Sequence, residues 1–349
     1  MFESVHLSVS VILALLSLAP LLRVQHWLIR GLDFPRFQLA VLLAFWLLIG
    51  LFYFESFALT ESLSMAILVL TLARQLWWII PYTRLFPVEV EATSDNSVAH
   101  IKIMTANVLT PNRNSEQLIR LIKHNQPDVI ITLESDDWWQ QQLAAIEEVY
   151  TYSVKVPLDN LYGMHLYSRL PLHNSEVRYI VENDKPSIHT WIELESGERI
   201  KAHFVHPAPP SPSENEESAE RDAELLRLAE EIDEKHTPTV VAGDLNDVAW
   251  SRTTLLFRKM SGLLDPRIGR GMFNTFHANY WFARWPLDHI FHSHHFALVK
   301  VERLPPFGSD HFPLLTELAL KPELNSPTDA PEPDAADQEL ARNLRQQVR

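Results

Sequence analysis

Val240-Val241-Ala242-Gly243-Asp244-Leu245-Asn246 reads as an apolar strand running into a turn that carries a carboxylate and an amide. Small and β-branched apolar residues suit a strand buried on both faces, and Gly-Asp-x-Asn is turn chemistry. Alone, such a turn is ordinary. It becomes decisive because the same arrangement recurs along the chain. His100–Val108 alternates as a strand does and ends in Thr105-Ala106-Asn107. Asp128-Val-Ile-Ile-Thr-Leu-Glu134 ends a second strand in a carboxylate, and Ala202-His-Phe-Val-His206-Pro ends a third in histidine. Trp285-Pro-Leu-Asp288 and Gly308-Ser-Asp310-His311-Phe-Pro complete the set.

Further strands read at Met164–Tyr167, Ile188–Leu194, Arg199–Val205, His289–Phe291 and Leu314–Leu318. Amphipathic helices read at Asn114–Lys123 and Ser218–Lys235. Strands and helices alternate with several consecutive strands, which points to a layered α/β domain over residues 99–320. Polar groups gathered at one edge of such sheets are the usual location of a site. Pro207–Glu217 is a loop by composition, and the Pro-rich, acidic stretch 322–349 reads as a disordered tail with a helical turn or two at its end.

Outward from this body, the first 87 residues change character. Residues 5–22, 37–54 and 62–80 are apolar runs, each long enough at ~1.5 Å per residue to cross a hydrocarbon core ~30 Å thick. Buried helices of a soluble domain would show a polar face, and these do not. Trp27, Trp77, Trp78 and Tyr82 stand near span ends, as interfacial aromatics do. The fold class expected is therefore α/β: three N-terminal transmembrane helices followed by a layered α/β domain. Arg23, Arg30 and Arg36 all fall between spans one and two, which places the N-terminus outside and the body in the cytoplasm of a multi-pass cell-membrane protein. On this reading, removal of residues 1–90 should leave a soluble, active domain.

The 349 residues carry a formal charge of −14, and the first 90 are neutral, so the body bears all of it. Such a domain attracts a nucleic-acid backbone poorly, though an enzyme that recruits phosphate through a metal ion is not excluded. The absence of cysteine excludes disulfide scaffolds, zinc–thiolate sites, iron–sulfur clusters and cysteine nucleophiles. His292, His294 and His295 lack the carboxylate context of a metal site.

A Glu after a strand is ordinarily a solvated loop acid, and an Asp-His pair is ordinarily a surface hydrogen bond. Six such features in this order are another matter. Together they resemble the endonuclease/exonuclease/phosphatase superfamily, in particular its bacterial members with membrane spans before the catalytic domain; Gly163-Met-His-Leu-Tyr-Ser168-Arg169 resembles that family's central strand. The resemblance implies a four-layer α/β sandwich, two packed, mostly antiparallel sheets flanked by helices, and a Mg²⁺-dependent phosphoesterase, with Mn²⁺ an alternative ion. It implies metal ligation by Glu134 and Asp310, with Asn107 close by. It implies that Asp244 aligns or deprotonates the attacking water and that Asn246 fixes the phosphate or that water. His311 would donate to a phosphate oxygen with Asp288 holding its ring, and His206 would act on the phosphate or leaving oxygen.

Two departures bear on substrate. Ala106 precedes Asn107 where many nucleases carry Trp, and Leu109 stands where abasic-site enzymes have a second carboxylate. The expected substrate is a phosphodiester or phosphomonoester, either nucleic acid or a phosphorylated lipid or small molecule. The expected partners are that ester and the lipid bilayer, and no protein partner is inferable. The alternative is a catalytically inactive, membrane-tethered binding or scaffold domain. The aromatic stretch Asn279-Tyr-Trp-Phe-Ala-Arg-Trp285 reads first as core packing around a strand and second as a substrate-facing wall.

Overall fold

The computed structural model describes residues 2–55, 58–233, 235–324, 326 and 329–348. In chain order the helices are α1 (Phe2–Leu18), α2 (Trp27–Arg30), α3 (Arg36–Tyr53), α4 (Leu59–Ile79), α5 (Ser115–Asn125), α6 (Asp137–Leu143), α7 (Ala219–Glu231), α8 (Arg252–Ser261) and α9 (Ala335–Gln347). The strands are β1 (His100–Asn107), β2 (Val129–Leu133), β3 (Tyr152–Val156), β4 (Met164–Ser168), β5 (Leu172–Arg178) and β6 (Ser187–Glu193). They continue with β7 (Arg199–Val205), β8 (Thr239–Asp244), β9 (Asp288–His292), β10 (Phe296–Arg303) and β11 (Leu314–Leu320).

Two sheets stack face to face. One has the order β10-β11-β1-β2-β4-β3 and the other β5-β6-β7-β8-β9. Each contains one parallel pair, β1 with β2 and β7 with β8, among antiparallel neighbours. Side chains alternate across each strand. Ile101, Ile103, Val129 and Ile131 meet Ile188, Phe204, Val240 and Ile290 between the sheets. Met104, Ala106 and Ile130 face outward onto Leu118, Ile122 and Trp139 of α5 and α6. Val241 and Phe291 face outward onto Leu225, Leu228 and Phe257 of α7 and α8. The result is the expected four-layer sandwich.

Three helices are long and apolar enough to cross a membrane: Phe2–Leu22, Arg36–Tyr53 and Leu59–Tyr82. They match the expected spans to within a few residues; residues 1, 56 and 57 of that region lie outside the described ones. Leu15, Phe52 and Leu70 are exposed while His6, Ser10 and Ser64 are buried. His6 Nδ1 lies 2.6 Å from Ser64 Oγ, and Ser10 Oγ donates to the His6 carbonyl at 2.7 Å. Apolar outside and polar inside inverts the water-soluble pattern and suits helices surrounded by lipid.

Three readings are corrected. The tail is not without structure, because α9 occupies residues 335–347; residues 325, 327, 328 and 349 of that stretch lie outside the described ones. Asp334 caps it, accepting from Asp337 N at 2.8 Å, and Ala341 and Leu344 are buried against Leu226 and Leu256 of α7 and α8. The helix expected to reach Lys235 stops at Glu231, with Glu234 outside the described residues. Of the aromatic stretch, Trp285 packs against Phe34 and Phe276, but Tyr280, Trp281 and Phe282 are exposed rather than core. The expectation that residues 1–90 can be removed meets a packed boundary. Val90 is fully buried in the inter-sheet core, and Glu89 pairs with Arg258 while accepting from Asp265 N at 2.6 Å.

Candidate active site

The topology itself assembles the site. In a parallel pair both strands deliver their last residues to the same edge, so Asn107 at the end of β1 and Glu134 after β2 emerge side by side. β7 and β8 do the same for His206 and Asp244. β9 runs antiparallel to β8, and its first residue, Asp288, is the direct register partner of Asp244. β11 runs antiparallel to β1, with Thr105 opposite Leu314, so Asp310 and His311 just before it arrive at the same edge.

The backbone at this edge is unusual. Gly243 allows β8 to approach β7 closely, since a Cβ there would stand 1.9 Å from the Val205 carbonyl oxygen. Glu134 and Asn246 hold left-handed conformations, with φ of 61° and 51°. Such backbone is found where surrounding structure fixes a side chain in place, and it concentrates at functional sites.

The side chains form one connected set. Asn107 Nδ2 donates to Glu134 Oε1 at 2.7 Å and to Asp244 Oδ2 at 3.3 Å, joining the two sheets. His311 bridges two carboxylates, with Nδ1 2.7 Å from Asp288 Oδ2 and Nε2 3.4 Å from Asp244 Oδ2. Asp244 Oδ1 accepts from Asn246 N at 2.9 Å, and Asn246 Nδ2 donates to the Pro207 carbonyl at 3.0 Å. Glu134, Asp244, Asn246, Asp310 and His311 line one cleft of about 650 Å³. Asn107 and Asp288 stand behind them as supports. His206 lies beside this group, buried with its ring 5.2 Å from that of Tyr162, and it is not part of the cleft wall.

Burial and charge divide the ionisable groups. Burial pushes Glu134 up to about 7, reinforced by Asp310 and Asp244 against the Asn107 hydrogen bond and the His311 charge. Burial likewise lifts Asp244 to about 7, opposed by His311. Burial works against a charged His311, but Asp288 and Asp244 outweigh it and push the imidazole up to about 10. Asp288 stays below the usual carboxylate range because the adjacent imidazolium overcomes its burial. Burial pushes His206 down to about 3, so it is neutral.

Asp244, Asp288 and His311 have the spacing of a metal site, with ligand atoms within 4.8 Å of one another. The chemistry of that trio fits a cation poorly, because a charged imidazole facing two carboxylates offers no lone pair. The other side of the cleft fits better. Glu134 Oε2 is buried and has no hydrogen-bond partner among the described residues, and Asp310 and Asp244 add carboxylates to the same cleft. Hard divalent ions take such oxygen donors and retain waters.

Several supporting residues had no sequence signal strong enough to find them. Ser309 Oγ donates to the Asn107 carbonyl at 2.8 Å and accepts from His311 N at 3.1 Å. Thr275 Oγ accepts from Asp288 N at 3.1 Å. Arg221 is buried, donating to the Asn246 carbonyl at 2.9 Å and pairing with Asp222 at 2.9 Å and Asp247 at 3.0 Å. Only Ser309, inside the Gly-Ser-Asp-His run, was adjacent to a motif.

Comparison with known proteins agrees with this geometry. Residues 104–311 match the model of the Endonuclease/Exonuclease/phosphatase family. The fold resembles the human Nocturnin catalytic domain with bound sulfate (TM-score 0.54, 18% identity, 64% of this chain and 94% of that one). It also resembles the endonuclease/exonuclease/phosphatase from Beutenbergia cavernae DSM 12333 (TM-score 0.52, 16%, 64% and 72%). A third similar structure is the humanized D. rerio TDP2 (TM-score 0.51, 16%, 63% and 98%). No curated protein sequence matches the chain. With more than half its length matched, the chain belongs to the endonuclease/exonuclease/phosphatase family, whose enzymes are hydrolases acting on phosphate ester bonds.

Proposed function

We propose that the protein is a membrane-anchored, Mg²⁺-dependent phosphoesterase, with Mn²⁺ as an alternative ion, that cleaves a phosphate ester by attack of water. The observation that carries this reading is the convergence of Glu134, Asp244, Asn246, Asp310 and His311 on one cleft, with a buried Glu134 oxygen left without a partner. Glu134 and Asp310 would hold the ion, which when bound neutralises charge on the phosphate oxygens. Asp244, lifted to about 7, is suited to orient a water and take its proton near neutral pH. Asn246, held by Arg221 and Pro207, fixes phosphate or water beside it. His311, kept charged by Asp288, supplies a positive donor to a phosphate oxygen as negative charge develops. His206, expected to act on the phosphate or leaving oxygen, is buried, neutral and outside the cleft wall, and it is given no part in the step.

Residues 1–87 act as the anchor, 99–320 as the catalytic unit, and 322–349 as an extension that α9 fastens to it. The Arg residues of the first linker favour a cytoplasmic catalytic unit, as does the absence of Lys and Arg from residues 55–61.

The test is hydrolysis of bis(p-nitrophenyl) phosphate by the full-length protein with Mg²⁺, beside Asp244→Asn. The expected loss in kcat is ~10²–10³-fold, with circular dichroism unchanged. Equal turnover by the variant would remove Asp244 from its role, and no turnover by either would favour an inactive scaffold.

A further inference from the structure

One wall of the cleft does not come from the catalytic layers at all. Trp27, Gly31, Phe34 and Pro35 belong to the segment joining the first two apolar helices, yet they line the same cleft as Asp244 and His311. That segment is fastened by directional bonds. Trp27 N donates to the Glu216 carbonyl at 2.9 Å, Trp250 Nε1 to the Asp33 carbonyl at 2.8 Å, and Arg30 pairs with Asp222 and donates to Thr253. Asp222 in turn pairs with Arg221, which holds Asn246. Phe34 meets Trp285 edge to face at 5.7 Å, closing an aromatic flank above the carboxylates.

A second observation fixes the level of this mouth. Tyr280, Trp281 and Phe282 are 51%, 82% and 61% exposed. Their loop is tied to a membrane helix, because the Phe282 carbonyl accepts from Gln38 Nε2 at 2.9 Å and Gln38 lies in the first turn of α3. Exposed aromatics at the start of an apolar span belong to the boundary between headgroups and acyl chains. A third observation concerns charge: among the described residues lining the cleft are three carboxylates and no Lys or Arg. A nucleic-acid backbone needs a basic track, and a hydrocarbon tail does not.

We propose, resting on the phosphoesterase reading above, that the substrate is a phosphate ester bearing a hydrocarbon tail, drawn from the bilayer that the three apolar helices cross. The ester reaches Asp244 and His311 while the tail lies against Phe34, Phe276 and Trp285, with Trp281 and Phe282 seated in the lipid surface. The water oxygen bonds to phosphorus, and the bond to the leaving oxygen breaks with its electron pair on that oxygen. Asp244 takes one proton from the water, and the leaving alkoxide takes one from solvent.

The test uses full-length protein in dioleoylphosphatidylcholine nanodiscs with Mg²⁺ and a series of p-nitrophenyl alkyl phosphates from methyl to dodecyl. A single-stranded oligodeoxynucleotide is the competing substrate. The expected result is a kcat/KM at least tenfold higher for dodecyl than for methyl. That ratio should fall at least threefold in Phe34→Ala and in the exposed pair Trp281→Ser/Phe282→Ser. Every variant meets the same bilayer, so partitioning alone does not lower the ratio in one of them. A flat series with measurable methyl turnover would overturn the lipid inference and leave the phosphoesterase reading standing. So would a rising series that neither variant alters, or an oligonucleotide preferred to the dodecyl ester. Absence of turnover on every substrate would overturn both.

Discussion

His311 concentrates the chemistry of this site in one ring. Its two nitrogens face two buried carboxylates, and that pairing outweighs the cost of burying charge. The folded protein therefore holds a proton that the unfolded chain would release. With the folded value raised from 6.5 to about 10, the stabilisation is complete below about pH 6.5 and is lost as pH rises toward 10. In His311→Gln this contribution is gone. The difference in urea midpoint between wild type and His311→Gln should narrow steadily from pH 6.5 to pH 10. A difference that stays constant across that range would mean the imidazole is not held charged. The chain order of Asn107, Glu134, Asp244, Asp288 and His311 was legible because each terminates or opens a recognisable strand. Arg221 was not: on an amphipathic helix rich in charge, nothing distinguishes a buried guanidinium from a solvated one.

At the scale of elements, legibility followed burial. β2, β4 and β8 are buried throughout, and the apolar runs of β2 and β8 announce those two. β3 and β5 are partly exposed edge strands whose residues alternate weakly, and no strand was read there. α9 escaped for a different reason. Its acidic, proline-led composition dilutes the apolar positions that dock on α7 and α8, and only the tertiary contact reveals their use. Salt bridges from Lys259 to Asp337 and from Arg345 to Glu230 also hold it, the first half-buried and the second with Glu230 exposed. The docking makes Leu344→Ala a measurable lesion of about 2 kcal/mol, at the low end for a buried leucine because the site borders solvent. Thermal denaturation should register a lower midpoint for that variant. An unchanged midpoint would mean that α9 does not dock in solution.

For the whole molecule, the N-terminal apolar helices and the α/β sandwich share a boundary. The apolar spans were readable from length and composition, but their attachment was not, since it depends on pairs such as Tyr82 with Ala249 and Asp33 with Trp250 that lie far apart in sequence. A cut at residue 91 removes Glu89 from buried Arg258 and takes Val90 out of the inter-sheet core. Leaving a buried guanidinium unpaired is costly, commonly 3–5 kcal/mol. Fragment 84–349 should therefore melt higher than fragment 91–349 and stay soluble where the shorter one aggregates. Equal melting temperatures would mean the boundary at residues 84–90 carries no stability. The proposed function requires a divalent ion at the Glu134 side of the cleft. The most direct measurement is turnover of bis(p-nitrophenyl) phosphate by chelator-stripped full-length protein as Mg²⁺ is added back, for wild type and Glu134→Gln. The expected result is that wild-type turnover is lost on stripping and restored by Mg²⁺, with Glu134→Gln at least ~10²-fold slower at saturating ion. Turnover that survives stripping, or a Glu134→Gln protein restored as fully as wild type, would contradict it.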